Sequence, residues 1–370
     1  MNCTWPKHGG KTSVIAAVLE RKGLQTATAI DFSANINPIG IPTVMIEAMQ
    51  KAIAENSMTY PDLTYQEHRE KIACYEGVPK ECVLLTNGGA EAIHLSAAWL
   101  RGKKVAIFQP SFSEYEQACQ ANGVDYDCLL YKEYFHSCSL PDNIEDIIRK
   151  YEAVYVCRPN NPSGTCLSFE ELNRVVHVAK KYQTYILVDE AFIHFTADEQ
   201  SAVSLCAEYD NVIIFRSLTK IFAVPGIRLG YMIADESIIA DISSLQIPWS
   251  VNAVALSLVD CMPDCQEFIN ETVTYIEKEK QWLAENLDKL DFQMSKTCTN
   301  FYLLRDPFIQ NHEKLLIFLV EKGILARHTY NFINIGGTAL RFAIRTHEEN
   351  ERLIQALRQW RNNGMQEESL

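Results

Sequence analysis

The chain is 370 residues long, is 47% apolar and carries a formal net charge of −13. That is enough to bury a large core and suggests roughly two domains, while the acidic balance argues against a nucleic-acid partner. It does not exclude an anionic small molecule, because arginines clustered in a cleft govern the local field more than distant surface charge does.

The first residues, Met1 to His8, hold no apolar core of signal-peptide length, and no later run approaches the ~20 apolar residues of a membrane span. A cytoplasmic location is therefore expected. The twelve cysteines are scattered, and Cys261-Met262-Pro263-Asp264-Cys265 has neither zinc-like spacing nor a second ligand pair. Reduced structural cysteines and no metal are expected.

In chain order, β-rich runs alternate with helical patterns, which predicts an α/β protein built of βα units around a mostly parallel sheet. Residues 83–86 read as a strand, and Asn87-Gly88-Gly89 turns into a helix beginning near Ala90. Free N–H groups at a helix start, approached closely because glycine has no side chain, can cradle a phosphate, so Gly89 and Ala90 are candidate anion binders. A strand over 104–108 leads to Gln109-Pro110-Ser111-Phe112, and one over 153–157 to Asn160-Asn161-Pro162. The next helix opens with Ser168 and Glu171 at capping-box spacing. Strands over 185–188, 212–215 and 231–234 complete the visible sheet. Beyond them come a long helix over 266–290, strands over 301–304 and 340–344, and a closing helix over 348–360.

The chemistry concentrates at strand ends. Asp189 ends an apolar run, where parallel-sheet enzymes gather polar groups, and a buried carboxylate there can pair with a protonated pyridine nitrogen. From Ser217 to Arg228 the chain offers a hydroxyl, Lys220 and a guanidinium at fixed offsets. A lysine amine there bonds a cofactor aldehyde, while the hydroxyl and arginine hold a phosphate dianion.

These residues carry a resemblance. Asn160-Asn161-Pro162-Ser163-Gly164, Asp189-Glu190-Ala191 and Ser217 to Arg228 stand in the order of the class I/II aminotransferase family of fold-type I pyridoxal-phosphate enzymes. Within it the chain is similar to the L-threonine-O-3-phosphate decarboxylases of cobalamin biosynthesis, on His8-Gly9-Gly10, the run Asp31 to Gly40, the run Gln246 to Asn252, and Ala343-Ile344-Arg345. Histidinol-phosphate aminotransferases are the sister group.

The resemblance implies pyridoxal 5′-phosphate as cofactor and a fold of three parts. Residues 1–44 would pack on the small domain, 45–255 form the large cofactor-binding domain with helices flanking its sheet, and 256–370 the smaller α/β domain. It implies Lys220 as the catalytic lysine, with Gly89, Ala90, Phe112, Asn161, Asp189, Ser217 and Arg228 around the cofactor. Phe112 would stack on the ring and Asn161 bond the ring oxygen. Tyr60 would reach the neighbouring subunit's cofactor, making the enzyme a homodimer. Arg345 would hold the substrate carboxylate, Arg327 and His8 its phosphate, with Asn35 nearby.

Two positions depart from the common pattern. Phe192 stands where many aminotransferases have a tyrosine whose hydroxyl bonds the cofactor's ring oxygen, and Arg158 is an unexpected cation with no assigned role. The implied reaction is decarboxylation of L-threonine O-3-phosphate to (R)-1-amino-2-propanol O-2-phosphate, with transamination using 2-oxoglutarate as the alternative. Which bond to Cα stands perpendicular to the cofactor ring decides between them, and the same residues serve both.

Overall fold

The computed structural model describes Trp5, Gly9, Gly10 and residues 29–367, with side chains as far as residue 362. Among these residues, seven strands form the main sheet in the order β2-β8-β7-β6-β5-β3-β4. They are β2 (Val83–Thr86), β3 (Lys104–Gln109), β4 (Asp125–Leu130), β5 (Ala153–Cys157), β6 (Tyr185–Asp189), β7 (Val212–Ser217) and β8 (Gly230–Ile233). Only β8 runs against its neighbours, β2 and β7.

Both faces of this sheet are covered, which is why its strands read as unbroken apolar runs rather than alternating ones. Along β3, β5 and β6, Ala106, Phe108, Val154, Val156, Ile186 and Val188 join one core. Their neighbours Val105, Ile107, Tyr155 and Leu187 join the other, as the period of two requires. The strand that sequence reasoning missed, β4, is an edge strand of half-buried and exposed residues, Asp125-Tyr126-Asp127-Cys128-Leu129-Leu130, and so lacks that signal. Ser168 caps helix Phe169–Lys181 by accepting from the Glu171 N–H at 3.1 Å. The expected capping box is only half made, because the Glu171 carboxylate accepts from Leu140 N–H instead.

A second, antiparallel sheet has the order β12-β13-β10-β9 and comprises β9 (Gln293–Met294), β10 (Phe301–Arg305), β12 (Arg327–His328) and β13 (Leu340–Ala343). Next to it, β1 (Ile30–Asp31) pairs in parallel with β11 (Ile324–Leu325). Phe32 extends this join, donating to Leu325 O and accepting from Ala343 N. A few residues on, Asn37 binds the opposite body: its main-chain N–H donates to Lys220 O, and its side chain donates to Ile221 O and Thr272 Oγ1. The segment 30–37 therefore straps the lysine turn to the second sheet. Among the described residues no helix is long and apolar enough to cross a membrane.

Candidate active site

The carboxyl ends of β2, β3, β5, β6 and β7 lie at one end of the main sheet, where α/β sheets place their ligands. Register aligns them: Cys157 pairs with Asp189, Asp189 with Phe215, and Gly230 with both Ser217 and Thr86. Residues that follow these strands, together with the strap and the second sheet, enclose a cavity of about 260 Å³.

At one side of the cavity is an anion cradle. Helix Gly89–Trp99 begins there with Gly88 as its cap, leaving unpaired N–H groups in its first turn. Gly88 has φ +77° and ψ 169°, a region open essentially only to glycine, and a Cβ on it would fall 2.4 Å from Arg228 Nη2. The guanidinium thus lies against the bare backbone. Ser217 Oγ and Thr219 Oγ1, 2.8 Å apart, complete the cradle.

Lys220 sits on the short helix Leu218–Ile221 directly after β7. Burial, then the nearby Arg341 and Arg228 cations, push its pKa down to about 8. Its amine is therefore far readier to lose its proton near neutrality than an ordinary lysine. Across the cavity Asp189, 7% exposed, accepts from Ala191 N–H through Oδ1 and from the Tyr115 hydroxyl through Oδ2. Burial raises its proton affinity, and those hydrogen bonds oppose the rise. Phe112 lines the cavity with its ring edge-on to that of Tyr115.

The other wall is cationic. Arg327 and Arg341 pair directly across β12 and β13, and both are buried and line the cavity. Arg341 donates to Asn161 Oδ1 and to Ser33 O, each at 2.6 Å. Arg327 donates to His328 O and Asn331 Oδ1. Burial lowers the pKa of Arg327 to about 10; burial and then Arg327 lower that of Arg341 to about 9. Both remain cations at neutral pH.

Of the residues singled out in the sequence, Gly89, Ala90, Phe112, Asn161, Asp189, Ser217, Lys220, Arg228, Asn35 and Arg327 line this one cavity. Asn35 is 4% exposed and its Oδ1 has no partner among the described residues. His8 lies outside the described residues, but the adjoining Gly9 lines the cavity, and a Cβ there would fall 2.0 Å from Ser33 O.

Arg345 is a correction. It does not line the cavity; its guanidinium pairs with Glu349, because β13 ends at Ala343 and the chain has already turned toward helix His347–Glu367. Arg341, four positions earlier, is the arginine that faces the site. Its signal was present as a lone cation between two apolar strand residues, Leu340 and Phe342. Tyr60 also lies away from its own chain's cavity, 80% exposed, with its ring 4.6 Å from that of Trp249.

Arg158 faces neither substrate nor solvent. Fully buried, it binds Glu190 Oε1 at 3.0 Å, Glu199, Leu167 O and Gln200 O. Glu190 also lies near Arg216, which pairs with Glu76, so the charges answer one another beneath the strand ends. Phe192 lines the cavity and packs edge-on to Phe301 at 4.8 Å.

A helix-start anion cradle, a lysine on the adjoining turn and a buried carboxylate opposite define a pyridoxal-phosphate enzyme of fold type I. Residues 27–357 match the family described as aminotransferase class I and II, and the chain belongs to it. A provisionally named threonine-phosphate decarboxylase of Caldanaerobacter subterraneus subsp. tengcongensis is 35% identical over 335 residues, 88% of either chain. The threonine-phosphate decarboxylase of Salmonella typhimurium is 30% identical over 361 residues, 95% of either chain. Among solved structures, the histidinol-phosphate aminotransferase from Clostridium acetobutylicum has a TM-score of 0.82 at 32% identity, covering 90% of this chain and 99% of that one.

Pyridoxal 5′-phosphate is the cofactor of this family, and the residues present fit it. The cradle that a Cβ at Gly88 would obstruct suits the phosphate, Asp189 the ring nitrogen, Phe112 the ring face and Lys220 the aldehyde.

Proposed function

We propose that the chain decarboxylates L-threonine O-3-phosphate to (R)-1-amino-2-propanol O-2-phosphate in cobalamin biosynthesis, as a cytoplasmic homodimer. The observation that carries this reading is the Arg327–Arg341 pair facing the same cavity as Lys220. Like charges directly opposite on neighbouring strands repel, and a substrate with both a carboxylate and a phosphate relieves that repulsion. The names of the two curated relatives support the same substrate.

In this reading Arg341, oriented by Asn161 and Ser33, binds the substrate carboxylate and Arg327 the phosphate, each by charge-assisted hydrogen bonds. Asn35 supplies a buried acceptor beside them. Phe192, Phe301 and Phe332 help keep water from that side of the cavity. Pyridoxal phosphate, when bound, supplies an electron sink for the pair left on Cα. As the carboxylate leaves as carbon dioxide, the Lys220 ammonium delivers a proton to Cα, so an amine is formed and the lysine is left neutral. The depressed Lys220 pKa suits a group that must gain and lose that proton near neutrality.

The exposed apolar side chains Met58, Tyr60, Leu63, Leu245, Ile247 and Trp249 support a second copy covering this face, with Tyr60 reaching the partner's site.

Transamination of the histidinol-phosphate type is the second reading, favoured by the 32% identity to the Clostridium acetobutylicum structure. There Lys220 removes the Cα proton instead, and the arginine pair receives the two carboxylates of 2-oxoglutarate. A paired assay on the cofactor-loaded protein decides: L-threonine O-3-phosphate is supplied with and without 2-oxoglutarate, and carbon dioxide and glutamate are measured. Carbon dioxide without glutamate supports decarboxylation; glutamate without carbon dioxide overturns it.

A further inference from the structure

Tyr115 has no place in the chemistry above, yet it joins two of its parts. It is 1% exposed on helix Glu114–Asn122, with its ring stacked on Tyr155 at 5.3 Å and edge-on to Phe112 at 6.0 Å. Its hydroxyl donates to Asp189 Oδ2 at 2.6 Å. Because Ala191 N–H holds Oδ1, the Tyr115 bond fixes the remaining freedom of the carboxylate, its rotation about the Cβ–Cγ bond.

We propose that Tyr115 is a positioning residue that keeps Asp189 ionised and aimed at the cofactor ring nitrogen, while its ring sets the angle of Phe112 at the ring face. This rests on the cofactor assignment above.

The groups around Asp189 leave that task to the tyrosine. From β5 comes the Cys157 thiol, whose pKa burial raises to about 12, so it stays neutral. From β6 comes Glu190, already paired with Arg158 and Arg216. The cations Lys220, Arg228, Arg341 and Arg327 line the same cavity, but the donors that hold the Asp189 carboxylate are two neutral ones, the Ala191 N–H and the Tyr115 hydroxyl. Burial raises the pKa of Tyr115 well above the ordinary phenol value, so it keeps its proton and faces Asp189 as a donor. A stronger donor to Asp189 makes the carboxylate less basic and leaves the proton on the ring nitrogen. A positive ring in turn withdraws electrons from the Lys220 linkage and lowers the pH at which that linkage loses its own proton.

The test is the pH titration of the visible band of the lysine-linked cofactor, which reads this coupling directly. Tyr115→Phe, which removes one oxygen and keeps the ring, is expected to move the midpoint upward by roughly one unit, the size of one charge-assisted hydrogen bond. In an Asp189→Asn background the same substitution is expected to add no shift. Replacing Tyr115 with 3-fluorotyrosine, a more acidic donor of nearly the same shape, is expected to move the midpoint down, which keeps the test available if the phenylalanine variant does not fold. Midpoints unchanged in both variants overturn the proposal while leaving the cofactor assignment intact. A wild-type chain that takes up pyridoxal phosphate without any lysine-linked band overturns both.

Discussion

Arg327 and Arg341 stand directly opposite one another on β12 and β13, both buried and both facing the cavity that holds Lys220. Among the described residues Arg341 hydrogen-bonds neutral acceptors, Asn161 Oδ1 and Ser33 O, and the Asp31 carboxylate favours its charge from nearby without pairing with it, so the guanidinium is open to an anionic ligand. Replacing it by glutamine is expected to lower kcat/KM for L-threonine O-3-phosphate by about 10²–10³-fold, the loss of one buried charge-assisted contact of about 3–4 kcal/mol. Arg345→Gln, which breaks only a half-exposed pair with Glu349, is expected to stay within about 3-fold. Steady-state carbon dioxide release distinguishes them, and equal losses would return the carboxylate role to Arg345.

The Lys220 amine bonds an aldehyde only when neutral. With its pKa at about 8, the rate of pyridoxal-phosphate uptake by the apoprotein is expected to rise with pH and reach half its maximum near pH 8, well below the ~10.4 of an ordinary lysine. Because Arg341 is the larger of the two cationic contributions to that depression, Arg341→Gln is expected to move the half-point upward. Stopped-flow absorbance of the growing visible band measures both, and Lys220→Ala should show no such band.

Gly88 is held where other residues cost about 1–3 kcal/mol, and its missing side chain leaves room for Arg228. Gly88→Ala is therefore expected to weaken cofactor binding at least about 10-fold by displacing the guanidinium. Equilibrium dialysis reads this, and unaltered retention would remove the cradle from the cofactor site.

Ile247, 75% exposed, lies two residues before Trp249, whose ring packs at a tilt against that of Tyr60. A carboxylate there would be buried unpaired on association, so Ile247→Asp is expected to shift the protein to monomer and lower activity by more than about 10-fold. Sedimentation velocity checks the first effect; a wild-type chain that is itself monomeric would remove Tyr60 from any partner's site.

Much of the site was legible because its signals are local. Asp189 and Ser217 announce themselves as polar residues ending apolar strands, and Gly88-Gly89 as a turn into a helix. Arg341, which lines the cavity, was passed over for Arg345, which does not, because the two differ only in strand phase, which depends on where β13 ends. Arg158 looked anomalous because its partners Glu190 and Glu199 lie 32 and 41 positions away. Tyr115 passed as an ordinary core aromatic, since its bond to Asp189 spans 74 positions.

By itself, then, the amino-acid order determined the βα alternation, the family and the place of Lys220 on a turn directly after an apolar strand, because hydrophobic period, turn residues and helix starts are settled within about ten residues of chain. The pairing of Arg327 with Arg341, the strap from Phe32 to Asn37 and the hold of Tyr115 on Asp189 were decided only by tertiary structure. Each depends on register between segments far apart in sequence, where packing of both sheet faces, not local propensity, selects which polar groups meet.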